Sequence, residues 1–186
     1  KGMEEFSIQM PIIRNYITEL FAAELMKKEG IISPRHKYVK LFVNGEYFGI
    51  RHIEENPSKE LIESNQRRLG PLFSLNDEIG RWYNDSSFNL HDSRFWANNK
   101  SNIAIEARTI LEKSKNEQEV FDEYFDYDIW AKYFAIIDGL KLWHGSMPKS
   151  VKYFMNPTTG KIEPVFFDGH TNTTRILDNY NFYRLL

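Results

Sequence analysis

Hydrophobic and polar positions follow two rhythms along this chain, and each rhythm predicts its own elements. After Pro11, apolar residues recur at helical spacing at Ile13, Ile17, Leu20, Phe21, Leu25 and Met26. Gly30 closes the run behind Lys27-Lys28, so residues 12–29 read as one amphipathic helix. Phe6 to Gln9, ahead of it, reads as a short strand. Tyr38 to Val43 and Glu46 to Ile53 then alternate with period two about Asn44-Gly45. An Asn-Gly loop supplies the positive φ angles that a tight antiparallel hairpin needs, so residues 38–53 are expected to form one and to pack on the helix. Ser58 caps a further helix through Leu61, Ile62 and Asn65 to Arg67-Arg68, which Gly70-Pro71 breaks.

Residues 73–100, rich in Asn, Asp, Ser and Trp, lack sustained periodicity and read as a long loop or small insertion. Residues 102–113 and 117–124 read as two helices. Asp126 to Trp143 reads as a third, longer one, with Trp130, Tyr133, Phe134, Ile137 and Leu140 on its buried side. A polar break at His144 separates it from a closing hairpin, Val151–Met155 and Ile162–Phe167, which turns at Asn156-Pro157-Thr158-Thr159-Gly160. The chain carries no internal repeat or linker. The order predicts an α+β fold in one domain: a helix and hairpin lobe in residues 1–72, the 73–100 loop, and a helical lobe with the closing hairpin in 101–186.

Composition narrows the function classes. With 41% hydrophobic and 15% aromatic residues, the 186-residue chain can build a sizeable core. The 24 basic and 26 acidic side chains leave a net charge of −2, which speaks against a nucleic-acid partner. The absence of cysteine excludes thiolate zinc sites, thiol catalysis and disulfides. No apolar run has the length of a membrane span. Lys1 in place of an initiating Met and an aromatic-leucine run from Tyr180 to Leu186 read as marks of a piece of a longer protein.

The candidate chemistry gathers in the last third. Asp168 follows directly on a strand, and Gly169 lets the backbone turn; an acid there holds a metal ion at a cleft mouth or caps a turn. His144 is either a helix-terminal residue favoured by the dipole or an acceptor for the proton of an attacking hydroxyl. His170 with Asp168 and His144 makes a set of two imidazoles and one carboxylate, which suits zinc or iron(II). Glu54 reads as a solvated strand end, whereas Glu55 is a candidate to orient a phosphate-binding cation. Arg14 reads as a structural ion-pair or capping residue, and Arg67-Arg68 as a solvated helix end. Asn84, Asn99 and Asn172 match the glycosylation pattern.

A longer pattern connects these residues. Arg14-Asn15, a helix, Gly30 with Ser33-Pro34-Arg35, the run Val43-Asn44-Gly45-Glu46-Tyr47-Phe48-Gly49, and Glu54-Glu55 follow one another in an order that resembles the spore-coat H (CotH) kinase family. Phe125-Asp126-Tyr127-Asp128, Tyr153-Phe154, Asn156-Pro157, Gly160 and Phe167-Asp168 resemble its central helix and closing hairpin, so the likeness covers most of residues 11–170 apart from 73–117. The resemblance implies an atypical protein-kinase-like fold and, as in some members, phosphate transfer from ATP to secreted proteins. It implies ATP with Mg²⁺ or Mn²⁺ as cofactors, a protein substrate or an envelope or coat partner, and a place at the cell envelope or spore surface. On this sequence it puts Asp168, Ser150 and His170 at the metal, Glu55 and Arg14 on the cofactor side, and His144 where the family usually has its catalytic Asp. Ser150 stands near a usual Asn and His170 where a second Asp often stands, so the chain resembles a divergent branch. Two other classes remain open: a non-catalytic interaction module on the same fold, and a metal-dependent hydrolase using Asp168, His170 and His144.

Overall fold

The computed structural model describes residues 2–75, 87–98, 101–147 and 149–170. In chain order the elements are β1 (Phe6–Gln9), α1 (Thr18–Lys28), β2 (His36–Val43), β3 (Glu46–Glu55), α2 (Lys59–Ser64), β4 (Leu72–Leu75) and β5 (Phe88–Leu90). Then follow α3 (Ser93–Asn98), α4 (Ile103–Ser114), α5 (Gln118–Tyr124), α6 (Tyr127–Gly139), β6 (Lys152–Met155) and β7 (Ile162–Val165). Short 3₁₀ turns occupy Pro11–Arg14 and Trp143–Ser146. The architecture is α+β with two antiparallel sheets, ordered β1-β3-β2 and β5-β4-β6-β7. Among the described residues no helix is long and apolar enough to cross a membrane.

α6 is the element on which the second half hangs. Asp126 caps it by accepting the Ile129 N–H at 3.2 Å, which satisfies a donor that the helix itself leaves unpaired. Trp130 faces Phe73, Phe88, Phe125 and Tyr153 in one apolar cluster, while Tyr133 and Ile137 face Ala22, Ala23, Met26 and Phe166 in another. Burying each such large side chain contributes about 1.5–3 kcal/mol. Trp130 Nε1 donates to Ile162 O at 2.9 Å and Tyr133 Oη to Gly145 O at 2.5 Å. One face of α6 thereby fixes both the closing hairpin and the turn after the helix.

The structure corrects several expected boundaries. The helix expected over residues 12–29 is split: Asn15 and Tyr16 have φ of 47° and 55°, so a 3₁₀ turn ends there and α1 starts at Thr18. Its buried side holds Glu19, Ala22, Ala23 and Met26, whereas Ile13, Ile17 and Phe21 of the predicted stripe lie exposed. The Asn44-Gly45 hairpin is present, with φ of 52° and 85° at the turn. It meets the segment before α1 through its base, where β1 pairs with β3, Arg14 with Glu54, and Tyr38 Oη donates to Tyr16 O, while its tip stands in solvent.

Ser58 does cap α2, accepting the Leu61 N–H at 3.4 Å, but the helix stops at Asn65 and Arg67 lies beyond it, paired with Glu163 at 2.9 Å. The expected 73–100 loop contains β4, β5 and α3; strands of four and three residues are too short to display a period, and the pairing of β4 with β6 and of β5 with β4 defines them. Residues 76–86, 99 and 100 lie outside the described residues. The helix expected to reach Trp143 ends at Gly139, because Lys141 turns left-handed at φ 55° and buries Leu142 back against the helix. Phe134 and Leu140 are only partly buried.

Candidate functional site

The chain leaves β7 through the buried Phe166 and reaches Asp168, whose φ of 54° is left-handed. Such a backbone is uncommon for a residue with a Cβ, and Asp tolerates it better than most. The turn after α6 delivers His144 to the same place. His144 Nδ1 lies 2.9 Å from Asp168 Oδ2 and 3.1 Å from its backbone oxygen. Ser150 Oγ lies 3.4 Å from Asp168 Oδ2 and 3.3 Å from His144 Nδ1. His170 Nδ1 stands 3.1 Å from Asp168 Oδ1, and its ring stacks on that of His144 with centroids 4.1 Å apart.

Arg14 reaches the group from the 3₁₀ turn before α1. Its guanidinium donates to Asp168 Oδ1 and pairs with Glu54 at 2.6 Å and Glu19 at 3.1 Å. Glu19 Oε1 also accepts the Gly169 N–H at 2.8 Å. Three carboxylates thus surround one guanidinium, and the charges respond. Burial would lower the Arg14 pKa, but Glu54, Glu19 and Asp168 outweigh it and raise it. Burial and the neighbouring Glu54 push the Glu19 carboxyl up to about 8 against the pull of Arg14. Burial likewise pushes Glu54 up to about 7, opposed by Arg14. Burial acts upward on Asp168 too, yet hydrogen bonds from His144, His170 and Arg14 hold it well below the usual carboxylate range. Asp168 is therefore the acid of the group whose charged form is favoured, and the partly exposed one, with 23% of its side chain accessible.

Of the residues singled out from sequence, Asp168, His144, Ser150, His170 and Arg14 stand together. Glu55 does not join them. Adjacent strand residues point to opposite faces, so Glu54 faces Arg14 while Glu55 accepts from Arg35 Nε at 2.8 Å. The expectation for Glu54 is corrected: read as a solvated strand end, it is fully buried at the site. Glu19 was missed altogether. The available signal was a charged residue in register with Ala22, Ala23 and Met26 on one helix side. Asn84, Asn99 and Asn172 lie outside the described residues.

Chemically, the donor set offers one ionised carboxylate, one hydroxyl and two imidazoles. His144, Asp168 and His170 each present a ligand atom within 4.8 Å of the others, a geometry open to a divalent cation. One carboxylate with a neighbouring hydroxyl also fits Mg²⁺, which takes few protein ligands and completes its shell from phosphates and water. The CotH family, described as CotH kinase protein, matches residues 12–169. A comparison with curated proteins found no match.

Proposed function

This chain belongs to the CotH kinase family, and on that premise we propose that the Asp168 cluster is a phosphoryl-transfer site acting between a metal-bound nucleotide and a protein hydroxyl. The observation that carries the reading is the pair of His144 and Asp168, 2.9 Å apart and both partly accessible. Phosphoryl transfer asks little covalent chemistry of a protein; it needs positioning, a cation on the phosphates and a group facing the acceptor hydroxyl. Asp168 and Ser150 would hold Mg²⁺, which would neutralise phosphate charge on a nucleotide that would supply the phosphoryl group. His144, donating from Nδ1 to the Asp168 carboxylate, keeps Nε2 as the acceptor for the proton of the incoming hydroxyl. Arg14 holds the opposite carboxylate oxygen and fixes the orientation of Asp168. The family premise extends to a secreted or spore-surface protein as acceptor.

The test is nucleotide binding and transfer by the purified protein with Mg²⁺. Asp168→Asn keeps the shape but loses the charge that holds a hard cation, so metal-nucleotide binding should nearly vanish. His144→Asn should leave binding in place and slow transfer by about 10²–10⁴-fold. Absence of nucleotide binding by the wild type would favour a non-catalytic module on the kinase fold. One observation supports a second reading: the stacked His144 and His170 beside Asp168 form a set suited to a borderline ion such as zinc, and a metal-dependent hydrolase. Zinc or iron that co-purifies with the protein and is lost in both His144→Asn and His170→Asn would replace the kinase reading with that one.

A further inference from the structure

Glu19 sits in the first turn of α1 with no exposed surface, on the side shared by Ala22, Ala23 and Met26. A carboxylate on an apolar stripe is costly unless its oxygens are engaged. Oε1 accepts the Gly169 N–H at 2.8 Å, and Oε2 lies 3.1 Å from Arg14 Nε as an ion pair without hydrogen-bond geometry. We propose that Glu19 is a positioning residue of the site, tying helix α1 to the backbone that carries Asp168 and to the guanidinium that grips its carboxylate. The inference rests on the phosphoryl-transfer reading above for what the positioning serves.

The contacts close a circuit. Glu19 holds Arg14, Arg14 holds the Asp168 side chain, and the next peptide, Gly169, returns to Glu19. Residues far apart in sequence meet here, so the loop after β7 has its place only while α1 is seated beside it. The loop needs such support, because Asp168 itself adopts a left-handed backbone that its side chain disfavours. Glu54 also pairs with Arg14, yet it sits on β3; Glu19 is the acid that brings α1 into the circuit. Displacing α1 would release the Gly169 tether and leave Arg14 held by Glu54 without Glu19. A catalytic group misplaced by about 1 Å can lose about 10²-fold in rate, so a tilt of the helix would slow the site by about that factor.

The experiment compares the full chain with E19Q and E19L by amide hydrogen exchange at Gly169 and by transfer kinetics. Leucine removes both contacts, whereas glutamine keeps an acceptor for the Gly169 N–H and loses the charged acceptor facing Arg14. Exchange at Gly169 should rise at least about tenfold in E19L with the Phe154 and Val165 amides unchanged, the mark of local rather than global opening. In E19Q that protection should persist. The kcat of E19L should fall by about 10²-fold with nucleotide KM within about threefold, and E19Q should lie between. Unchanged Gly169 exchange in E19L overturns the proposal, and so does acceleration of all amides together. A kcat per folded molecule equal to wild type in both variants also overturns it. If the wild type transfers no phosphate while E19L still exposes Gly169, the tether stands and the phosphoryl-transfer reading falls.

Discussion

In the β5-β4-β6-β7 sheet every residue of β6 and β7 is buried, with Phe73 and Tyr153 in one apolar cluster and Phe154 and Val165 in another. In the β1-β3-β2 sheet the buried positions are His52, Glu54 and Glu55, while Phe42, Tyr47, Phe48 and Ile50 lie in water. Both sheets are antiparallel, and both contain a hairpin with a well-formed turn. What they bury differs in kind. The β1-β3-β2 sheet is held by ion pairs and imidazole contacts, Arg14 with Glu54, Arg35 with Glu55, and His36 with His52. The β5-β4-β6-β7 sheet is held by transfer of apolar surface from water. The candidate site lies where the two kinds of packing meet: Asp168 leaves the apolar sheet and lands on the guanidinium that the polar sheet holds.

The largest effect should come from the apolar sheet. Phe154 is fully buried against Ile32, Leu61, Ile62, Leu72 and Val165, so Phe154→Ala should cost about 3–5 kcal/mol in urea unfolding. Ile50→Ala, at a position 53% exposed, should stay within about 0.5 kcal/mol. Comparable losses at the two positions would break the contrast. Next comes the polar sheet. Arg14→Leu strips Glu19 and Glu54 of their cation and should cost about 3 kcal/mol, the low end for breaking a buried pair. The value sits low because burial already pushes both acids up, to about 8 and about 7, and they can take on protons instead of remaining charged. Arg35→Leu should cost less, since its side chain is 27% exposed and water can reach the gap beside Glu55. A larger loss for Arg35→Leu than for Arg14→Leu in the same denaturation would contradict that ranking.

Local chemistry made much of this fold legible in the sequence. The Asn44-Gly45 turn needs no tertiary partner to be recognised, and the closing hairpin announces itself by Asn156 to Gly160. His144 and Asp168 could be singled out because both stand at element ends, where side chains leave the core. Tertiary pairing was not legible. β4 and β5 exist as strands because β6 and each other's edges hold them, which no four-residue pattern discloses. The buried side of α1 was misread for a related reason: Phe21 and Ile17 carry the strong apolar signal, yet Ala22, Ala23 and Glu19 face inward. The inward face packs on Tyr133, Ile137 and Phe166 through Ala22, Ala23 and Met26, and only Glu19 meets the arginine. Glu54 and Glu55 could not be separated either, because alternation says that they diverge but not which of them meets a cation.

The smallest predicted effect tests whether the imidazoles of the β1-β3-β2 sheet are truly part of its interior. His36 Nδ1 lies 3.0 Å from His52 Nε2 with the rings stacked, and the far nitrogens, His36 Nε2 and His52 Nδ1, are buried without hydrogen-bond partners among the described residues. Burial, then His52 and Arg14, push the His36 pKa down from 6.5 to about 3. Burial and Arg14 lower that of His52 as well. As pH falls below 6.5 the unfolded chain therefore binds protons that the folded chain refuses. Stability from this source is full above pH 6.5 and is lost as pH falls toward 3, with a slope of about 1.4 kcal/mol per pH unit for one such group. His36→Phe keeps a ring stacked on His52 and removes the titration, at a cost of about 1 kcal/mol at neutral pH for the lost hydrogen bond. Urea unfolding of both proteins from pH 7.5 to 4.5 cancels the carboxylates and His91, which the two share. The wild-type advantage should shrink as pH falls and reverse in sign, whereas an advantage that stays constant would mean that His36 is open to water and that the polar core of this sheet ends at His52.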